Sequence, residues 1–225
     1  MLGVLWPCER GRVRLETDEL GGLRVIRALV PAGGRQSRRV ARAARLLAKS
    51  GVRRVLKHRL FDAVDALGRY GLRYVDGSAL YRHMAPELIL ARLAQLGMEP
   101  GHTVVVLRAE QVSGELARAA ERLCPVVRGV VVRAGAGSER LQQRLYARYG
   151  MAVDGLWRGD VMEVCFDGPG GEGLFGLWPS SGRWGLTAEE IHMPAELDHD
   201  GFLCALWQAG GVKEGQLRVV ANKTS

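Results

Sequence analysis

The stretch PAGGRQSRR (Pro31–Arg39) concentrates residue types that bind anions. Gly33 and Gly34 let a backbone approach a ligand closely. Ser37 can cap the helix that follows, whose free N–H groups carry partial positive charge. Arg35, Arg38 and Arg39 add guanidinium forks suited to phosphate or carboxylate. A second stretch, RAEQVSGE (Arg108–Glu115), brings Arg108, Glu110 as a candidate acid or base, and Gly114. The plainer alternative is a pair of loops whose arginines face water and whose Arg108 and Glu110 form a structural pair.

Arg35, Arg38, Arg42, Arg45 and Lys49 are spaced 3, 4, 3 and 4 residues apart. On a helix they form one stripe, opposite Val40, Ala44 and Leu47. A stripe of this kind can follow a phosphate backbone, although a solvated helix face is its commoner meaning. Other chemistry is weakly signalled. Asp198–Asp200 with His192 invites a metal, but helix capping by Asp198 or Asp200 explains the carboxylates more simply, and a metal site is not expected. Glu110 is the remaining acid/base candidate, with no nucleophile beside it. His58, His83 and His102 have no partner spacing.

The elements that must hold these residues follow from periodicity. A hairpin is expected over 12–30, with Gly21–Gly22 as its turn. A helix over 36–50, a strand at VRRVLK, a helix over 61–70 and the strand LRYV come next. Residues 79–97 read as a helical crossover that Pro86 restarts or kinks. The pattern then returns: strand 103–107, helix 114–123, strand 126–132, helix 138–149, strand 151–153. VARAARLLAKSGVRRVL (Val40–Leu56) comes back as LARAAERLCPVVRGVVV (Leu116–Val132), and VDG (Val75–Gly77) as VDG (Val153–Gly155), with offsets of 76 to 78 residues. Two βαβαβ repeats, about 24–77 and 103–155, predict an α/β fold. The expectation is one doubly wound, mainly parallel Rossmann-like sheet over 1–155 in the order 3-2-1-4-5-6. Two separate lobes are the alternative. Residues 156–225 are expected as an antiparallel β extension plus one helix, with Trp157, Trp178, Trp184 and Trp207 in their core. In the single sheet the two glycine-arginine loops face each other at the switch point, where open parallel sheets bind ligands.

The segment from Val104 to Val153, VVVLRAEQVSGELARAAERLCPVVRGVVVRAGAGSERLQQRLYARYGMAV, resembles the cofactor half of Rossmann domains of the shikimate dehydrogenase and glutamyl-tRNA reductase type. The resemblance implies a strand running into a glycine fingerprint, a helix beginning with a small residue, and a second strand ending in an arginine for an NADP phosphate. Gly114 then takes the third glycine position and Arg133 the phosphate position. Ala109 and Gln111 replace the first two glycines, and a glutamine at the middle position obstructs a pyrophosphate. NAD(P) is therefore not the expected cofactor.

Net charge is +8, distributed as +10 over residues 1–58, +4 over 59–150 and −6 over 151–225. Arginine supplies 28 of the 32 basic residues, a bias that a GC-rich genome can also produce. No apolar run reaches 18 residues, so no membrane partner is expected. The start lacks signal-peptide features, and Cys8, Cys124, Cys165 and Cys204 are scattered, as in reduced cytoplasmic proteins. The favoured function is binding of a small phosphorylated or nucleotide-like anion through Gly33, Gly34, Arg35 and Ser37, with Arg38, Arg108, Glu110 and Gly114 around them. The competing one is a Rossmann module without cofactor that binds nucleic acid through the stripe, or a protein through Trp178 and Trp184.

Overall fold

The computed structural model describes all residues except 34–35, 62–64, 151–158, 169, 172–173, 179–183, 190 and 222–225. The fold is α/β with mainly parallel strands, divided into two compact units: residues 1–77 with 187–218, and residues 78–186 with 219–225.

The first unit is built on strands β1 (Leu2–Cys8), β2 (Arg14–Leu20), β3 (Leu23–Pro31), β4 (Arg54–Lys57) and β5 (Arg73–Tyr74), in the order β2-β3-β1-β4-β5. The β2–β3 hairpin forms as its sequence predicts. Gly21 and Gly22 both take positive φ (56° and 83°), as a two-residue type I′ turn requires, and Leu20 faces Leu23. β1 is the element that sequence periodicity missed. It lies at the centre of the sheet, parallel to β3 on one side and β4 on the other. A strand buried on both faces loses the polar–apolar alternation, and the short run of Leu2, Val4 and Leu5, all buried, shows none. Helix α1 (Gln36–Lys49) packs Val40, Ala43, Ala44 and Leu47, all at 0% exposure, into a core with Leu5, Ala28, Val30 and Val55. A short helix α2 (Asp65–Gly68) leads to β5.

The second unit opens with α3 (Ser78–His83) and α4 (Ala85–Leu96), where Pro86 sits in the first turn of α4 and restarts the helix as expected. Its sheet contains β6 (Thr103–Arg108), β7 (Gly129–Arg133), β8 (Asp160–Cys165), β9 (Gly170–Gly171) and β10 (Leu174–Gly176), in the order β7-β6-β8-β10-β9. Helices α5 (Gly114–Leu123) and α6 (Ser138–Tyr149) match their expected bounds. The expected strand 151–153 lies outside the described residues. β11 (Trp184–Ala188) and β12 (Leu217–Ala221) pair in a two-stranded sheet, and α7 (His199–Gln208) belongs to the first unit.

The single six-stranded sheet is corrected by this topology. Joining the halves requires β3 to pair with β6, but β2 holds one edge of β3 and β1 holds the other. No edge of β3 is left. The two copies of the sequence pattern also take different neighbours: β6 pairs directly with β7, whereas β1 separates β3 from β4. The units divide at 77/78, 186/187 and 218/219. In the C-terminal region, β8 is parallel to β6, and β10 is parallel to β8. Among the described residues of that sheet, antiparallel pairing occurs between β9 and β10. Trp178 and Trp207 fall in different units, and Trp157 lies outside the described residues.

His58, at the end of β4, is a core histidine. It is 7% exposed, its Nδ1 accepts from the Leu60 N–H at 3.1 Å, and its ring meets Trp6 and Phe61 edge to face. Burial lowers its pKa below the usual 6.5, an effect that the Glu196 carboxylate partly offsets. Because the folded value is depressed, the unfolded chain binds the proton first. Stability is full above pH 6.5 and falls as the pH drops below it. The thermal midpoint should therefore fall between pH 7.5 and pH 5, by less in a His58→Gln variant. Equal falls in both proteins would rule out this role.

Candidate anion-binding site

The loop from β3 into α1 is shaped by one arginine. Arg39 Nη1 donates to the carbonyls of Pro31 at 3.0 Å and Ala32 at 2.8 Å. The Ala32 N–H donates to the Cys8 carbonyl at 2.9 Å and ties the strand exit to β1. Two of the five guanidinium N–H groups thus hold the loop, while those on Nε and Nη2 make no hydrogen bond among the described residues. Gly33 has a φ of 99°, in the left-handed region that glycine adopts without strain. Gln36, Ser37 and Arg38 are exposed in the first turn of α1, which contains no acidic residue. Gly34 and Arg35 lie outside the described residues. The helix start thus offers positive partial charge, a clamped guanidinium and an exposed hydroxyl, and among the described residues no carboxylate is paired with Arg39.

The second candidate loop follows β6, a strand of the other sheet, so the two loops do not flank a switch point within one sheet. In the second unit β6 lies between β7 and β8, and their carboxyl ends bring together charges that the sequence did not place side by side. Arg108 pairs with Glu163 at 2.6 Å, and Arg133 pairs with the other oxygen of Glu163 at 3.2 Å. The register sets this up, because Arg108 faces both Arg133 and Cys165 across the sheet. Both arginines therefore carry an internal counter-ion. Glu110 is exposed; its N–H donates to Asp167 Oδ2 at 2.9 Å, and its carbonyl accepts from the Gly135 N–H at 3.0 Å. Arg82 reaches Asp167 at 4.0 Å and lies over the Trp178 ring. Ser113, not Gly114, is the working residue at the start of α5, accepting from the Leu116 N–H at 3.1 Å.

The glycines sort themselves the same way. A Cβ added at Gly114 would meet nothing within 4 Å, so this position lacks the close helix–strand packing of a third fingerprint glycine. A Cβ at Gly135 would lie 2.5 Å from the Glu110 carbonyl oxygen, so here only glycine fits. The roles of Glu163, Asp167 and Gly135 depend on tertiary neighbours. The polar position of Glu163 within DVMEVC was visible, but its neighbours depend on β8 joining β6.

Asp198 caps α7, accepting from the Gly201 N–H at 2.9 Å. It also accepts the phenol proton of Tyr74, and burial together with that carboxylate pushes the Tyr74 pKa well above 10. The capping explanation of Asp198 therefore holds. Among the described residues no three His, Cys, Asp or Glu side chains meet in a metal-binding group, and no helix is long and apolar enough to cross a membrane. No protein-family model matches the chain, and no curated protein is similar to it.

Proposed function

We propose that the protein binds a small phosphorylated or nucleotide-like anion where the β3–α1 loop meets the first turn of α1. The observation that carries this reading is the clamped Arg39. Its position is set by the Pro31 and Ala32 carbonyls while its Nε and Nη2 edges remain uncommitted among the described residues. A pre-positioned fork loses little freedom when it takes up a phosphate or carboxylate. Ser37 and Arg38 supply a hydroxyl and a second charge, with Gly33 giving backbone access. Arg108, Glu110 and Gly114 belong to the second unit, at the end of β6 and the start of α5. All four cysteines are free, which fits a reducing, cytoplasmic setting.

Ser37→Asp separates ligand binding from folding. A carboxylate in the first turn of a helix favours the helix but repels a bound anion. Phosphate, pyrophosphate, nucleotides, sugar phosphates and dicarboxylates should be screened by thermal denaturation. A true ligand at a hundredfold excess over Kd adds about 2.7 kcal/mol, or roughly 5–10 °C in a chain of this size. Ser37→Asp should keep or raise the unliganded midpoint and lose that increase. If no compound raises the midpoint, or the variant responds like the parent, the site is wrong.

A module without cofactor is the second reading, and the Arg108–Glu163–Arg133 pairing favours it. The arginine that the Rossmann resemblance would give to a cofactor phosphate is already neutralised by the protein.

A further inference from the structure

The exposed face of α1 is a docking track for the sugar–phosphate backbone of duplex DNA, we infer, a site that shares only Arg38 with the small-anion reading. Arg38, Arg42, Arg45 and Lys49 are all exposed, and none is ion-paired among the described residues. The helix QSRRVARAARLLAK contains no acidic residue at all. At 1.5 Å per residue the four cations cover about 16 Å. One strand of DNA advances about 3.4 Å per nucleotide along the duplex axis, so a line of cations about 16 Å long is enough to meet more than one phosphate.

Three observations choose this occupant over other polyanions. The opposite face of α1 is committed to the core through Val40, Ala43, Ala44 and Leu47. A helix that settles into an anionic membrane surface needs that apolar face free. No aromatic residue interleaves with the cations, and single-strand binders rely on such residues to stack bases. Between residue 38 and residue 49 the other side chains are Arg39, valine, alanine and leucine only, so no hydroxyl or amide lies along the track to read a ribose 2′-OH. What remains is a line of positive charge that reads phosphate spacing and not sequence.

Four phosphate contacts predict a salt slope of about −3.6, or roughly a hundredfold weaker binding at 200 mM than at 50 mM salt. The test uses the full chain with a 20-base-pair DNA duplex of random sequence, followed by fluorescence anisotropy. R42E/R45E should cost at least tenfold in affinity at 50 mM salt and at least halve the slope. Its fold is protected, because Arg38 with the new Glu at 42, and the new Glu at 45 with Lys49, become i,i+4 opposite-charge pairs. The thermal midpoint of R42E/R45E should match the parent. No duplex binding at 50 mM salt, a salt-independent affinity, or equal binding by R42E/R45E would overturn the inference. So would tighter binding to single strands, to duplex RNA or to phosphatidylserine vesicles. R42E/R45E should retain any phosphate-induced rise in midpoint, so failure here and failure of the small-anion reading are separately visible.

Discussion

Gly201→Ala is expected to lower the thermal midpoint by about 6–12 °C, the result of losing roughly 3 kcal/mol in a chain of this size. Gly201 lies in the first turn of α7, and its N–H is the one that Asp198 caps. A Cβ there would stand 2.2 Å from the Val75 carbonyl oxygen and 2.7 Å from Asp198 Oδ2. The first contact is with backbone and cannot be relieved by a rotamer change. Gly77 repeats the condition from the other side, since its Cβ would lie 2.7 Å from that of Asp200. The exit of β5 and the start of α7 thus touch backbone to backbone. Relief requires α7 to move, which disturbs the Asp198 cap and its hydrogen bond with Tyr74. Overpacking of this kind costs about 1–3 kcal/mol and a lost cap about 0.5–2 kcal/mol. Gly210→Ala is the control, with a φ of 77° but nothing within 4 Å of the added methyl. It should show only the left-handed backbone cost of about 1–2 kcal/mol. Equal losses from the two variants would refute the close approach.

Gln142→Leu should cost about 2–5 kcal/mol, because it strips two buried backbone groups of their partners at once. Gln142 is 5% exposed on α6. Its Nε2 donates to the Val130 carbonyl at 3.0 Å, and its Oε1 accepts from the Val132 N–H at 3.0 Å. These groups point away from β6, so one carboxamide does for β7 what a neighbouring strand would do. Leucine conserves volume but leaves a buried N–H and a buried carbonyl unpaired. Gln142→Glu adds a pH signature. An ionised carboxylate can accept from Val132 but only repels the Val130 carbonyl, while the protonated acid restores both bonds. The folded-state pKa of such a glutamate is raised, so the folded state holds the proton more tightly than the unfolded chain does. Stability of Gln142→Glu should therefore be highest at acid pH and fall as the pH rises through that value. Chemical denaturation from pH 4 to pH 8 measures it. A pH profile parallel to that of the parent protein would show that the amide is not doing this job.

The candidate site was half legible. Glycine, serine and arginine around a strand-to-helix turn are a local signal, and Gly33, Ser37 and Arg38 lie at such a turn. Arg39 offers a ligand group by its type alone, but it first serves the loop, since two carbonyls at the strand exit need donors. Arg108 was recognised as a cation without its partner, because Glu163 is 55 positions away and reaches it only through the pairing of β8 with β6. Gly114 was given importance by a fingerprint that its surroundings do not require, whereas Gly135 is the position where a side chain cannot fit.

Whatever depends on neighbours a few residues apart was determined by the sequence itself. The bounds of α5 and α6, the restart at Pro86, the Gly21–Gly22 turn, the Asp198 cap and the exposed stripe on α1 all follow from helical period, capping and turn chemistry. These act within about one turn of chain, so their energies are written locally. Which strands stand side by side is a different kind of question. Every strand has two edges that hydrogen-bond alike, and a βαβ pattern states the crossover without saying which edge is already taken. In this chain the first strand, too short and too uniformly apolar to show a period, takes the free edge of β3. Its insertion, more than any motif, separates the halves into two sheets and leaves Arg108 to Glu163 and Arg133.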